Sequence, residues 1–390
     1  MKRLKVGLFT DSFFPMIDGV CMVVNNYAKY LSKYCDVVVI APKYNGTFKD
    51  EKLPYKVIRA NSIKVPTIDY DLATPKLDLK FLKELDKLDL DVVHIHSPFS
   101  IGKAGLKYAK KHKCVLVGTM HSQYKSDFKR TVKSETISSF LTSKLMDVYN
   151  ECDLCYAVNY STAEIYYKDY GYKTMPKVLN NATEMTYLEE NDNYINDLYN
   201  LDNDTKVFLF VGRINELKNI YFLIDSLVEF NKISDLKYKM LFVGNGQDED
   251  KFIDYVNNKK MSDYVIMCGR VLDRDILRKY YKRADLFLFP SLYDASSIVQ
   301  IEAASQKLPG LFLKDSATSY TIENDVNGFI SLNDPKEYAK RINEIMNNKK
   351  LYDEVSNNCY EQVYKTWDDR VLELYNDYLS FFKEWFCERC

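Results

Sequence analysis

No apolar run in this 390-residue chain approaches the ~20 residues that a membrane-spanning helix needs. A helical membrane span is therefore excluded. Met1-Lys-Arg leads straight into a strand-like pattern, without the charged, apolar and small-residue regions of a secretory signal, so the expected location is the cytoplasm. Histidine is scarce: the 4 residues are His94, His96, His112 and His121, without matched spacing or acidic neighbours, which argues against a metal centre. The 9 cysteines are scattered, several in apolar strand patterns, as reduced core residues are. Two pairs have the C-x-x-C form, Cys152/Cys155 in a strand pattern and Cys387/Cys390 at the chain end, and neither context favours zinc or redox chemistry. The aromatic residues form no stacking platform, so nucleic acid is not an expected partner.

What the chain does contain is apolar residues at 46% and aromatics at 14%, much of the latter tyrosine, the composition of an ordered globular protein. Its length suits two domains rather than one core. The net charge of −1 hides an asymmetry: residues 1–180 hold 28 Lys and Arg against 19 Asp and Glu, and residues 181–390 hold 26 against 36. A basic half of this kind suits an anionic surface or substrate, although solvated charge scatter produces the same count. The cations concentrate between Lys103 and Lys144, interleaved with apolar residues, a pattern compatible with docking on anionic lipid.

Short, nearly continuous apolar runs alternate with amphipathic segments along the whole chain. Val6–Phe9, Val37–Ile40, Val92–Ile95, Val115–Val117 and Leu154–Val158 read as strands of one parallel sheet covered on both faces. A second series, Val207–Val211, Met240–Val243, Val265–Met267, Leu286–Phe289 and Leu311–Leu313, follows a polar break near Leu179–Asn193. The expected domains are residues 1–180 and 181–370, with a final helix over 371–390 crossing back onto the first. In such sheets ligands bind beyond the carboxyl ends of the strands, so the segments after each run carry the functional signal.

The most informative stretch is Phe289–Gly310, FPSLYDASSIVQIEAASQKLPG. Pro290 stops a buried strand, a polar loop follows, and a helix restarts near Ser297. Ser297 with Gln300 reads as a capping box, which leaves the first N–H groups of the helix facing the loop as an anion site. Asp294 and Glu302 flank that site with acceptor-only carboxylates suited to sugar hydroxyls. Gly212-Arg213-Ile-Asn-Glu-Leu-Lys218 follows the first strand of the second series, and Gly244-Asn-Gly246 and Gly269-Arg270 follow the next two. After the very first strand comes Phe9-Thr-Asp-Ser-Phe-Phe-Pro15, three further residues, then Gly19-Val20. Asp89-Leu-Asp91 and Asp273-Arg-Asp275 fall away from strand ends and read as chance rather than metal motifs.

These segments resemble the retaining glycosyltransferases of family four. Asp294 and Glu302 match the family's two acids separated by seven residues, and the first loop resembles the members that glucosylate diacylglycerol. The resemblance covers nearly the whole chain and implies an α/β chain of the GT-B class, with two facing Rossmann-like domains and a central cleft. It implies a hexosyltransferase that needs no metal or other cofactor and takes a nucleotide sugar, UDP-glucose being the expected donor, as co-substrate. Arg213, Lys218 and the backbone at Ser297, Ile298 and Val299 are then expected to hold the donor diphosphate. Glu302 takes the ribose and Asp294 the transferred hexose, while Gly19, Gly244, Gly246 and Arg270 complete the donor site. His121 matches the histidine beside the hexose, and His96, Ser97 and His121 are the expected acceptor side. A membrane lipid such as diacylglycerol is the preferred acceptor, with peripheral binding at the inner face of the cell membrane. A glycan acceptor in capsule, teichoic acid or exopolysaccharide assembly is the alternative, and an accessory subunit that binds nucleotide sugar without catalysis is a third reading. Two departures bear on that third reading: the first acid is Asp rather than the commoner Glu, and Ser297 replaces a usual glycine.

Overall fold

A computed structural model describes residues 3–16, 18–44, 48–64, 71–190, 193–292 and 298–387. The chain divides into two compact units, Met1–Asn181 with Trp367–Cys390, and Ala182–Thr366.

In the first unit the elements run β1 (Lys5–Phe9), α1 (Gly19–Leu31), β2 (Asp36–Pro42), β3 (Lys56–Ala60), β4 (Ser62–Lys64), β5 (Asp71–Ala73), α2 (Leu79–Asp86), β6 (Val92–Ile95), α3 (Ser100–His112), β7 (Val115–Met120), α4 (Tyr124–Val132), α5 (Glu135–Tyr149), β8 (Leu154–Ala157), α6 (Tyr160–Glu164) and β9 (Lys177–Val178). Seven strands form a parallel sheet in the order β3-β2-β1-β6-β7-β8-β9, and β4 and β5 pair as a separate antiparallel ribbon. Val6, Leu8, Phe9, Val92, Val93, Ile95 and Val117 are completely buried, as a sheet with helices on both faces requires. β3 and β9, which the apolar runs do not reveal, are the two edge strands, where polar residues are tolerated and one row of hydrogen bonds suffices.

The second unit runs α7 (Tyr194–Tyr199), β10 (Lys206–Val211), α8 (Ile220–Phe230), β11 (Tyr238–Val243), α9 (Glu249–Asn258), β12 (Val265–Gly269), α10 (Arg274–Arg283), β13 (Leu286–Phe289), α11 (Ile298–Ser305), β14 (Gly310–Leu313), β15 (Phe329–Ser331), α12 (Pro335–Asn347) and α13 (Lys349–Gln362). Its six parallel strands have the order β12-β11-β10-β13-β14-β15. The core is strongly aromatic: Phe208, Phe210, Phe242, Phe287, Phe289 and Phe312 line the strands. Phe210 stacks on Phe289 with ring centres 5.7 Å apart, which locks the two central strands side by side.

The last helix, α14 (Trp367–Cys387), belongs to the first unit, and it starts before the 371 expected from the sequence. Its anchor explains the earlier start: Trp367 is 2% exposed and meets Tyr27 of α1 edge-on at 5.8 Å. Tyr375 stacks on Tyr34, Asp377 accepts from the Tyr156 hydroxyl, and Tyr378 reaches His94. Aromatic burial on this scale is worth about 3–5 kcal/mol per large side chain, so α14 is an integral part of that unit.

Both Asp-x-Asp triplets have structural work. Asp91 accepts from the Lys5 N–H and Asp89 pairs with the Lys5 ammonium, while Asp273 caps α10. Cys152 and Cys155 are both buried free thiols. Among the described residues no group of three or more His, Cys, Asp or Glu side chains is placed to hold a metal.

Candidate functional site

In each unit the strand order reverses once, between β1 and β6 in the first and between β10 and β13 in the second. Neighbouring connections leave in opposite directions at such a point and open a crevice at the carboxyl ends of the strands.

In the second unit the crevice is bounded by the segment after β10 and the one after β13. Arg213 is exposed, and among the described residues its guanidinium has no protein partner. Lys218 is half-buried, with its ammonium 5.8 Å from the Phe289 ring centre, at the junction of the two strands. Asn219, in the left-handed conformation at φ 58°, ties the loops together by donating to the Pro290 carbonyl at 3.3 Å. Asp294 and Ser297 lie outside the described residues. α11 begins at Ile298, and Ile298 and Val299 are only half-buried in its first turn. The Gln300 amide nitrogen is turned to the Thr318 carbonyl and the Thr321 hydroxyl, so the half of the expected capping box that is described ties α11 to a neighbouring turn.

Glu302, one turn into α11, is 3% exposed and already partnered on both oxygens. Arg274 donates to Oε1 at 2.5 Å and the Tyr281 hydroxyl to Oε2 at 3.0 Å. Burial, and then Glu302 itself, hold the Tyr281 hydroxyl well above its ordinary range, so it remains a donor. Each carboxylate oxygen keeps a second lone pair, and the two donors fix the direction in which it points. Arg274 and Tyr281 escaped the sequence reading, because only the packing of α10 on α11 brings them to Glu302.

Gly244 and Gly246 are demanded by the backbone. A Cβ on Gly244 would lie 1.8 Å from the Gly212 carbonyl oxygen, with φ at +141°, and one on Gly246 would lie 2.2 Å from that of Ile214. The turn after β11 is thus pressed against the loop that carries Arg213. Arg270, exposed at the end of β12, has no protein partner among the described residues.

In the first unit the crevice between β1 and β6 is lined by acids and histidines. Asp11, just past β1, accepts from Ile101 N at 2.8 Å and Gly102 N at 3.3 Å, at the start of α3. Burial raises its carboxyl to about 6, against the pull of those N–H groups. Asp18 caps α1, accepting from Cys21 N at 2.7 Å and from the Ser12 hydroxyl at 2.5 Å. The start of α1 therefore already holds a carboxylate. Gly19 itself faces open space: an added Cβ would meet nothing within 4 Å.

Three of the four histidines converge. His94 stacks on His96 with ring centres 4.2 Å apart, and His96 on His121 at 5.4 Å. His94 bonds Tyr378 at 2.5 Å and Thr119 at 2.7 Å through its two nitrogens, and His96 Nδ1 lies 3.1 Å from His121 Nε2. Burial lowers His94 to about 3, His96 well below its ordinary value, and His121 to about 4, the last against the Asp18 carboxylate nearby. All three are neutral at pH 7. His96 is completely buried, and Ser97 is 6% exposed with its hydroxyl oxygen accepting from Asp11 N at 2.9 Å. His121 is the half-buried, accessible member. His112 lies apart, on Asp86.

The comparisons with known proteins decide the family. Residues 17–184 match the model described as Glycosyltransferase Family 4, and residues 195–362 the model described as Glycosyl transferases group 1. The chain belongs to glycosyltransferase family four. This family-four chain is 28% identical over 372 residues to the alpha-monoglucosyldiacylglycerol synthase of Acholeplasma laidlawii, covering 91% of this chain and 92% of that one. It is 24% identical over 397 residues to the UDP-Gal:alpha-D-GlcNAc-diphosphoundecaprenol alpha-1,3-galactosyltransferase of Escherichia coli, covering 96% and 97%. The crystal structure of Anabaena HepE in complex with UDP aligns with a TM-score of 0.76 over 97% of this chain and 100% of that one, at 16% identity. The likeness establishes the GT-B class of fold for the two parallel α/β units. As a family-four enzyme the chain is a hexosyltransferase.

Proposed function

We propose that this enzyme transfers glucose, with retention of configuration, from UDP-glucose to an uncharged membrane lipid, diacylglycerol being the acceptor that fits. The observation that carries the reading is the relationship, along nine-tenths of both chains, with a monoglucosyldiacylglycerol synthase. In this reading Arg213 and Lys218, with the first N–H groups of α11 around Ser297, Ile298 and Val299, take the diphosphate and the charge that grows on it as the sugar leaves. Glu302, aimed by Arg274 and Tyr281, takes the ribose, Asp294 the hexose hydroxyls, and His121 the far side of the hexose. In the same reading Gly19, Gly244, Gly246 and Arg270 complete the donor site. The acceptor hydroxyl attacks the face from which the diphosphate departs, and a phosphate oxygen takes its proton. The residues position the two substrates, and neither a metal nor another cofactor is invoked.

The relative from E. coli names a diphosphate-linked glycan acceptor, which keeps a lipid-linked glycan as the second reading. The first unit favours the neutral acceptor. Both helix starts at its crevice are filled by the carboxylates of Asp11 and Asp18, and its three histidines are uncharged, so a phosphate there would meet repulsion from those carboxylates. Membrane contact is assigned to the α4–α5 corner, where Val132, Ile137 and Phe140 are exposed at 39%, 50% and 61% beside Lys129, Lys133 and Lys144. Much of the basic stretch is neutralised locally, Lys110 by Glu151, Lys111 by Asp86, Lys125 and Lys129 by Glu135 and Lys144 by Asp147.

The test is nucleotide diphosphate release from UDP- and GDP-sugars, with diacylglycerol in vesicles or with a diphosphate-linked glycan. Release from UDP-glucose that rises with diacylglycerol supports the proposal. Release that rises only with the glycan moves the acceptor to the second reading, and no release from any donor refutes the donor reading.

A further inference from the structure

His96 and His121 meet through nitrogens 3.1 Å apart, so a single proton lies between the two rings. Which ring owns it is decided by the nitrogens that are left over. A neutral imidazole carries one N–H and one bare nitrogen. If His121 donated from Nε2, the proton of His96 would sit on its own Nε2, a completely buried atom that no group among the described residues reaches. A buried N–H without an acceptor is the rarest kind of unsatisfied group, rarer than a bare acceptor, and leaving a group unmade costs about 1–3 kcal/mol. If His96 donates from Nδ1, its Nε2 is a bare lone pair packed between rings, and the proton of His121 moves to Nδ1. That nitrogen has no protein partner among the described residues and belongs to the half-buried, accessible ring.

We infer that His96 is a positioning residue that holds His121 in the tautomer protonated on Nδ1, so that His121 meets the substrate as a hydrogen-bond donor. His94 completes the device from behind. It is fixed by Tyr378 of α14 and Thr119 of β7, and it stacks on His96 so that the ring cannot turn over. A donor at this point suits a hexose hydroxyl oxygen or a phosphate oxygen. It does not suit removal of a proton from the acceptor, because its bare nitrogen is spent on His96. The inference rests on the proposed placement of His121 beside the hexose, and it gives that contact its chemical sense.

Long-range proton–nitrogen spectra of the ¹⁵N-histidine-labelled enzyme at pH 7 read the tautomers directly, with His121→Asn for assignment. Expected is a pyrrole-type Nδ1 and a pyridine-type Nε2 on His121. The reverse pattern, or a doubly protonated ring, overturns the inference. Kinetics supply the second readout. In His96→Asn the side-chain amide can still donate to His121, whereas in His96→Leu nothing can. The leucine variant is expected to lose about tenfold in kcat relative to the asparagine variant, the worth of one neutral hydrogen bond, with the donor KM within about twofold. Equal losses in the two variants overturn the positioning role. Should His121→Asn turn over UDP-glucose as the parent does, the placement of His121 falls, while the spectra still judge the tautomer by themselves.

Discussion

Removing Arg274 tests whether Glu302 is held for use or merely buried. The carboxylate is 4% exposed and the Arg274 side chain 56%, so the pair is neither a fully buried bridge nor a surface one. Breaking a buried pair costs about 3–5 kcal/mol and breaking a surface pair about 0–1, which brackets the expected loss for Arg274→Met at about 2 kcal/mol. The loss is moderated because Tyr281 still donates to the carboxylate. In an Arg274→Met, Glu302→Gln cycle the unpaired charge disappears, and the double variant is expected to recover about 1 kcal/mol relative to additivity. The measurement has a convenient contrast. The only 2 tryptophans, Trp367 and Trp385, belong to the first unit, so indole fluorescence follows that unit and far-UV circular dichroism follows both. The destabilisation should appear in dichroism and leave the fluorescence transition unmoved. Donor turnover should fall about tenfold in kcat/KM for Arg274→Met, and further for Glu302→Gln, without recovery in the double variant. A coupling energy within about 0.5 kcal/mol of zero would refute the reasoning, since contacting and energetically linked residues exceed that.

Acid should loosen the first unit. Between the ordinary histidine value of 6.5 and the depressed folded values, about 3 for His94 and about 4 for His121, the unfolded chain binds protons that the folded chain does not, so stability is lost as pH falls through 6.5. Each such group contributes about 1.4 kcal/mol per pH unit. Asp11, raised to about 6, runs the other way, because its folded form takes up a proton below that pH. With His94, His96 and His121 against Asp11, the net difference near pH 5 is about two protons, a loss of about 2.7 kcal/mol per unit. Urea unfolding followed by tryptophan fluorescence at pH 7, 6 and 5 checks this, and a flat or rising midpoint contradicts it. The glycines supply a paired prediction. Gly244→Ala combines a positive φ with a backbone clash and should cost the second unit about 2–5 kcal/mol. Gly19→Ala, with open space around it, should leave stability within about 0.5 kcal/mol. A fall in turnover for the latter alone marks Gly19 as a donor contact, and a stability loss as large as that of Gly244→Ala contradicts the geometry.

The apolar runs were sufficient to find all the central strands, from Val6–Phe9 to Leu311–Leu313, because a sheet buried on both faces leaves no room for polar residues. The two edges of the first sheet were silent for the converse reason: Lys56–Ala60 and Lys177–Val178 need less burial, so their composition is closer to that of loops. The family was legible in Phe289–Gly310 and in the Arg213–Lys218 segment, since residues that act from consecutive strand ends keep a short spacing along the chain. Contacts between separate elements were not legible. That Arg274 and Tyr281 close on Glu302 depends on how α10 packs against α11. That Asp11 fills the start of α3, ninety residues on, depends on β1 lying beside β6. Four histidines within 28 residues of sequence gave no sign that three would stack and the fourth would not, because the parallel register of β6 and β7 decides which side chains lie next to each other. Strand identity and residue chemistry follow from local pattern, whereas the orientation of a carboxylate and the ownership of a proton follow from neighbours that only the folded chain brings together.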